Sequence, residues 1–275
     1  MKEISQNIVQ FAEKRKISKK TLTDLKIESG LAQFGDKKHE SIVFGYYNLE
    51  GERVNYKARA IHEKLFKQQK GGEQRFYNLD NVLKSNNLAN NTIYIVEGEF
   101  DALALYESGF GIDTILSVPT GAVAKPTEEP RVQGKYKYVL DALEQGLNKA
   151  NCFVLLTDND NSGLALRQDL ASILNHSKCK YYNFPEDIKD ANEALIAWGK
   201  EDLRWQINEG LIDFPIEGVY GLDDIPDPPK VKLFNPKIKA WEDKFMLGAG
   251  MVSVFTGFPG HGKTSFAIQL WTNIA

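Results

Sequence analysis

"CFVLLTDNDNSG", residues 152–163, breaks an apolar run, Phe153 to Leu156, at two aspartates one position apart, Asp158 and Asp160, and then reaches Gly163. A short β-rich run that ends in carboxylates and leads into the helical "LALRQDLASILNH" is one unit of a strand–helix alternation. The same unit recurs on both sides. Upstream, "TIYIVE" is followed by "FDALALYESG", closed by Gly109, and "TILSVP" by the irregular "TGAVAKPTEEPR" and the helical "YKYVLDALEQGLNKA". Downstream, "KCKYYNF" precedes the helical "DANEALIAW". Strands that alternate with helices imply crossover connections and a parallel sheet covered on both faces, an α/β fold.

In open parallel sheets, ligands bind beyond the carboxyl ends of the strands. Three acidic clusters fall at such ends: Glu97 with Glu99 and Asp101, Asp158 with Asp160, and Asp187 with Asp190. Each has a local explanation. Glu99 and Asp101 complement the amino end of a helix. Asp190, three residues before Glu193, has the spacing of a helix cap, and Asp158 and Asp160 with Gly163 make a solvated turn. Gly98 eases a tight turn and, lacking Cβ, lets a phosphate approach closely. Converging on one rim, however, the carboxylates would repel by about 4 kcal/mol for a pair 4 Å apart at an effective dielectric near 20. A divalent cation removes that penalty, and hard oxygen donors with room for water and phosphate suit Mg²⁺ or Mn²⁺.

The 275 residues are 42% hydrophobic and 26% charged, an ordinary globular composition. No apolar stretch is long enough to span a bilayer, and the amino terminus, "MKEISQNIVQFAEKRKISKK", reads as a short amphipathic helix with a basic end rather than a signal peptide. The expectation is a cytoplasmic protein with no membrane contact. Cys152 and Cys179 make neither a disulfide framework nor a four-ligand zinc site, so no zinc is expected. Composition divides the chain into a basic α+β unit over 1–88, the α/β domain over 89–212, a proline-rich linker over 213–240 and the start of a further unit over 241–275.

The net charge of −3 hides a basic segment: Arg53, Lys57, Arg59, Lys64, Lys67, Lys70 and Arg75 are opposed there only by Glu63 and Glu73. Beside Tyr56, Phe66 and Phe76, these cations are of the kind that neutralise phosphates while aromatic faces stack on bases. Lysine-protected antiparallel strands are the plainer reading. Near the carboxyl end, "GFPGHGKT" has the GxxxxGK[ST] spacing between the strand-like "MVSVFT" and the helical "SFAIQLW". In that setting Gly257, Gly260 and Gly262 would let backbone N–H groups cradle the phosphates of ATP. Lys263 would reach the terminal ones and Thr264 would ligate Mg²⁺.

"VEGEFDALAL", "LLTDNDNSG" and "IKDANEAL", in this order and spacing, resemble the Toprim domain of primases, topoisomerases and some nucleases. "KDANE" narrows the resemblance to the fused primase-helicases of short-tailed phages and their mitochondrial, Twinkle-like relatives. The resemblance implies a Toprim domain, a parallel sheet with flanking helices, preceded by a small α+β subdomain and followed by a linker and the start of a RecA-like domain. It implies Glu97 as the acid–base residue, with Asp101 also in the catalytic set. Asp158 and Asp160 would hold the metal, and Asp101 and Asp190 would support its shell or its waters. Lys57, Arg59 and Lys64 would face nucleic acid or nucleotide. The implied activity is synthesis of RNA primers from NTPs on a single-stranded DNA template, tethered to an ATP-driven 5′–3′ helicase. The helicase motor is incomplete by Ala275, so a truncated, largely monomeric chain is expected, whereas the intact protein would form a ring-shaped homo-hexamer. Relatives that synthesise primers on a template usually begin with a cysteine-rich zinc module, which this sequence lacks. That keeps open a non-catalytic, single-stranded-DNA-gripping arm. A Toprim nuclease or topoisomerase is the third alternative.

Overall fold

The computed structural model describes residues 4–120, 125–127, 129–132, 134–215, 232–239 and 244–274. The chain divides into two units, Met1–Val219 and Tyr220–Ala275.

The first unit opens with helices α1 (Gln6–Glu13) and α2 (Lys19–Asp24), capped by Ser5 and Ser18, whose hydroxyls accept the N–H groups of Ile8 and Thr21. An antiparallel sheet follows, in the order β1 (Glu28–Phe34), β2 (Lys37–Tyr47), β3 (Arg53–Ala60), β4 (Phe66–Gln68). Strand β2 buries Ile42, Phe44 and Tyr46 on one face, the period-two pattern of a half-buried strand. After helix α3 (Leu79–Leu83) the alternation begins: β5 (Thr92–Val96), α4 (Glu99–Glu107), β6 (Ile115–Ser117), α5 (Lys137–Glu144), β7 (Cys152–Leu156), α6 (Asn161–Leu174), β8 (Cys179–Tyr181), α7 (Ala191–Trp198), α8 (Lys200–Glu209) and β9 (Ile212–Asp213).

The second sheet has the order β6-β5-β7-β8-β9. Its first four strands are parallel, as the alternation predicts, while the short edge strand β9 pairs antiparallel with β8. The pleat sends alternate residues into two cores. Val154 and Leu156 of β7 join Leu103 of α4 and Leu195 of α7 on one face, together with Phe44 and Tyr46 of β2. Phe153 and Leu155 join Val139 of α5 and Leu170 of α6 on the other, together with Phe76, Leu79 and Val82. A strand buried on both faces reads as a continuous apolar run, which is why "CFVLL" shows no alternation. The chain winds from β5 to β6 on one side and then crosses to β7 on the other. This reversal opens a crevice at the carboxyl ends of β5 and β7.

Half-buried Glu107, at the end of α4, ties the amino-terminal helices to this domain. It accepts hydrogen bonds from the backbone N–H and hydroxyl of Ser18 at 2.9 and 2.7 Å, and from Thr21 and Lys200. No helix among the described residues is long and apolar enough to cross a membrane.

In the second unit, β10 (Leu233–Phe234) pairs antiparallel with β11 (Leu247–Gly248), and α9 spans Lys263–Ile274. Most of the proline-rich stretch, 216–231, lies outside the described residues. "MVSVFT", expected as a strand, is not one: residues 251–258 form no ladder, and Val252 and Val254 are exposed. An apolar β-rich segment becomes a strand only beside another strand that takes up its backbone hydrogen bonds, and none among the described residues runs alongside it.

Candidate functional site

Asp101 and Asp158 stand where a strand end turns directly into a helix, and Asp190 stands at the start of α7, beyond the loop that follows β8. Beyond β5, Gly98 is the N-cap of α4, and its N–H donates to Asp101 Oδ2 at 3.1 Å. A Cβ at Gly98 would stand 2.7 Å from that oxygen. Beyond β7, Asp160 caps α6, its Oδ1 accepting the N–H groups of Ser162 and Gly163 at 3.0 and 2.9 Å. A Cβ at Gly163 would come 2.1 Å from the carbonyl oxygen of Asp158, so the turn requires glycine there. Asp190 caps α7 and accepts the N–H of Glu193 at 2.8 Å. Thus the local roles foreseen for Asp160 and Asp190 exist, and in Asp190 they coexist with convergence on the crevice.

Asp101, Asp158 and Asp190 each present a carboxylate oxygen, and the three oxygens lie within 4.8 Å of one another. Asp101 is buried and the other two are half-buried. Asp101 Oδ1 also accepts the N–H of Asn192 at 3.0 Å, which links the start of α4 to that of α7. Burial, then the charges of Asp190 and Asp158, push the Asp101 carboxyl well above the usual carboxylate range. Burial also raises Asp158, with Asp190 and Asp160 adding to the rise and Lys189 opposing it. The hydrogen bond from Gly163 lowers Asp160. Three hard oxygen donors gathered this closely suit a divalent cation of the Mg²⁺ class, which would relieve their mutual repulsion.

Glu97 and Asp160, also foreseen for this site, lie outside the trio. Glu97 is half-buried at the end of β5, where its carbonyl accepts the Ser117 hydroxyl at 3.4 Å. Asp160 is exposed and pairs with Lys189 at 3.1 Å.

The basic residues separate into two kinds. Lys57 Nζ donates to Glu99 Oε1 at 2.9 Å, and Tyr46 Oη donates to the same oxygen at 2.6 Å, so this charge is internally compensated. Lys64 is exposed in the turn between β3 and β4. Arg59 lies opposite Phe66 on the neighbouring strand, its guanidinium carbon 5.3 Å from that ring and 4.9 Å from Phe100. Its Nε is buried without a hydrogen-bond partner among the described residues. Burial, then the charge of Arg15, lowers Arg59 to about 10.

Sequence reasoning missed three cations. Arg15 stacks 4.8 Å from Phe100 and donates to Asn192 Oδ1 at 2.7 Å, which brings it beside the Asp101 hydrogen bond. Arg75 was counted in the basic segment but given no role. It is 4% exposed; Nη1 donates to Glu73 at 3.0 Å, while Nε and Nη2 have no hydrogen-bond partner among the described residues. Two residues on, the backbone of Tyr77 bridges to Ser117 beside Glu97. Lys189 pairs with Asp158 as well as Asp160, at 3.1 Å. Its only sequence signal was its place before Asp190.

In the second unit, Gly260 and Gly262 of the glycine-rich loop have φ of +81° and +75°. Lys263, the first residue of α9, folds back and donates to the carbonyls of Gly257 and Phe258 at 2.9 and 3.0 Å. Thr264 follows it, exposed, in the first turn.

Parallel strands with a reversal in their order, and carboxylates gathered at that reversal, define the class: residues 94–195 match the family described as Toprim-like. Over its whole length the chain is 28% identical, across 299 residues, to the Twinkle homolog protein, chloroplastic/mitochondrial, of Arabidopsis thaliana. It is 34% identical over 172 residues to the primase homolog protein of the same plant, an alignment that covers 59% of this chain. It spans 39% and 48% of those two proteins, less than half of either. Among solved structures, the primase fragment of the bacteriophage T7 primase-helicase protein matches with a TM-score of 0.53 at 22% identity, over 70% of each chain. That is a likeness of fold. The chain carries a Toprim-like domain and resembles the Toprim primase-helicases.

Proposed function

We propose that this chain is the primer-synthesising part of a replicative primase-helicase, a metal-dependent nucleotidyltransferase that joins ribonucleotides on single-stranded DNA. The convergence of Asp101, Asp158 and Asp190 from three separate segments, at the starts of α4 and α7 and in the turn after β7, carries this reading. These three would hold Mg²⁺ or Mn²⁺, with Asp160 turned to the waters around it. The bound ion supplies charge stabilisation for the triphosphate and lowers the pKa of the attacking 3′-hydroxyl.

The protein's own groups position the reactants, as phosphoryl transfer requires. Glu97, at the adjoining strand end, accepts the proton of the 3′-hydroxyl. That oxygen forms a bond to the α-phosphorus, and pyrophosphate departs with the electrons of the bond that breaks. Arg59 and Arg75, with buried N–H groups lacking acceptors among the described residues, suit the triphosphate oxygens, and Arg15 adds its charge beside Arg59. Lys64, exposed in the turn that leads from the strand of Arg59 to β4, suits template phosphate. Lys57, paired with Glu99, holds the basic sheet against α4.

We assign the glycine-rich loop to ATP in an intact motor that forms a ring-shaped homo-hexamer, where Lys263 would exchange its carbonyl partners for phosphate.

The test is ribonucleotide incorporation on single-stranded DNA with Mg²⁺ or Mn²⁺, comparing the wild type with Asp158→Ala. Synthesis by the wild type that the variant loses by about a hundredfold or more supports the reading. Binding of single-stranded DNA without synthesis by the wild type would assign the chain to a gripping arm, and metal-dependent nicking of supercoiled DNA to a nuclease or topoisomerase.

A further inference from the structure

The turn after β7 and the segment before α7 are stapled together. The N–H of Asn159 donates to the carbonyl of Lys189 at 2.7 Å, and the N–H of Lys189 donates to Glu193 Oε2 at 2.9 Å. Asn159 Nδ2 adds bonds to the carbonyls of Phe184 and Pro185 at 3.0 and 3.2 Å. With its backbone fixed in this way, Lys189 lays its ammonium between two carboxylates, 3.1 Å from Asp158 Oδ2 and 3.1 Å from Asp160 Oδ2. The side chain is 48% exposed, so its head has water to retreat into by rotation about its own bonds.

We propose that Lys189 is a built-in counter-ion of the acidic site, holding Asp158 and Asp160 together and yielding Asp158 to a divalent cation when that cation binds. The proposal rests on the metal reading given above. An ammonium at 3.1 Å and a divalent ion on the same carboxylate would repel strongly, so one must leave. Two consequences follow for this positioning residue. The affinity for the cation is weaker than three converging carboxylates alone would give. Cation binding also releases a primary amine at the rim, one residue from Asp190.

The experiment is a Mn²⁺ titration of the full chain followed by electron paramagnetic resonance, with wild type, Lys189→Gln, Lys189→Arg and Asp158→Asn. Lys189→Gln is expected to bind Mn²⁺ about tenfold tighter, a figure discounted for the exposure of the pair, and Lys189→Arg to stay near wild type. In parallel, an amine-reactive reagent read out by mass spectrometry is expected to label Lys189 of the wild type faster as Mn²⁺ saturates. This second measurement decides the matter if Lys189→Gln fails to fold. If Asp158→Asn weakens Mn²⁺ binding but Lys189→Gln leaves it unchanged or weaker, or if labelling does not respond to saturation, the counter-ion role is overturned alone. If Asp158→Asn leaves the affinity untouched, the metal reading falls and takes this inference with it.

Discussion

Arg15 Nη1 donates to Asn192 Oδ1 at 2.7 Å, and the backbone N–H of Asn192 in turn donates to Asp101 Oδ1 at 3.0 Å. An arginine from the turn between α1 and α2 is thereby built into the rim that carries the carboxylates. Arg15→Ala is expected to raise the KM for nucleotide about tenfold, the loss of one charge-assisted contact, with a smaller change in kcat. Steady-state incorporation kinetics check this. An unchanged KM would confine Arg15 to packing.

The Lys57–Glu99 pair is largely out of water, its side chains 19% and 5% exposed. Removing one partner leaves the other buried and uncompensated. Glu99→Ala is therefore expected to cost about 3 kcal/mol in urea unfolding, and Lys57→Met a similar amount. The double substitution Lys57→Met/Glu99→Met should recover much of the loss. Because its charge is already matched, Lys57→Met should alter the salt dependence of DNA binding less than Lys64→Ala does.

Gly163 has no room for a side chain, with the Asp158 carbonyl 2.1 Å from where a Cβ would sit. Gly163→Ala must shift backbone. We expect a loss of about 3 kcal/mol in stability and, from displacement of Asp158, a weakened Mn²⁺ affinity in the titration described above.

Glu107 supplies a pH dependence. Burial pushes its carboxyl up, but the hydrogen bonds from Lys200, Thr21 and Ser18 outweigh burial and hold it at about 2, below the ordinary 4.5. Its contribution to stability is thus complete above about pH 4.5 and drains away as pH falls towards 2. Urea midpoints between pH 6 and pH 3 should fall less steeply in Glu107→Gln than in the wild type. The variant should be less stable by about 2 kcal/mol at pH 6.

The parallel sheet was legible because strands such as β7, covered on both faces, must be apolar throughout, and because β5 and β7 each end where a polar turn starts a helix. The carboxylates were legible for the same reason. The edge strands were not: β1, with Leu31 exposed, and the two-residue β9 bury too little to leave a pattern. Arg15, Arg75 and Lys189 act through partners distant in sequence or through burial, neither of which a local motif encodes. "MVSVFT" shows the opposite failure, since its composition favours a strand and the pairing that would make it one is absent among the described residues.

The three aspartates come from the segments that follow three different strands, β5, β7 and β8, so no local fragment holds the set. Occupancy by a paramagnetic ion would therefore report the integrity of the whole domain in an all-or-none manner. A spectroscopist following unfolding would see that signal vanish with the shared cores rather than fade as one loop frays.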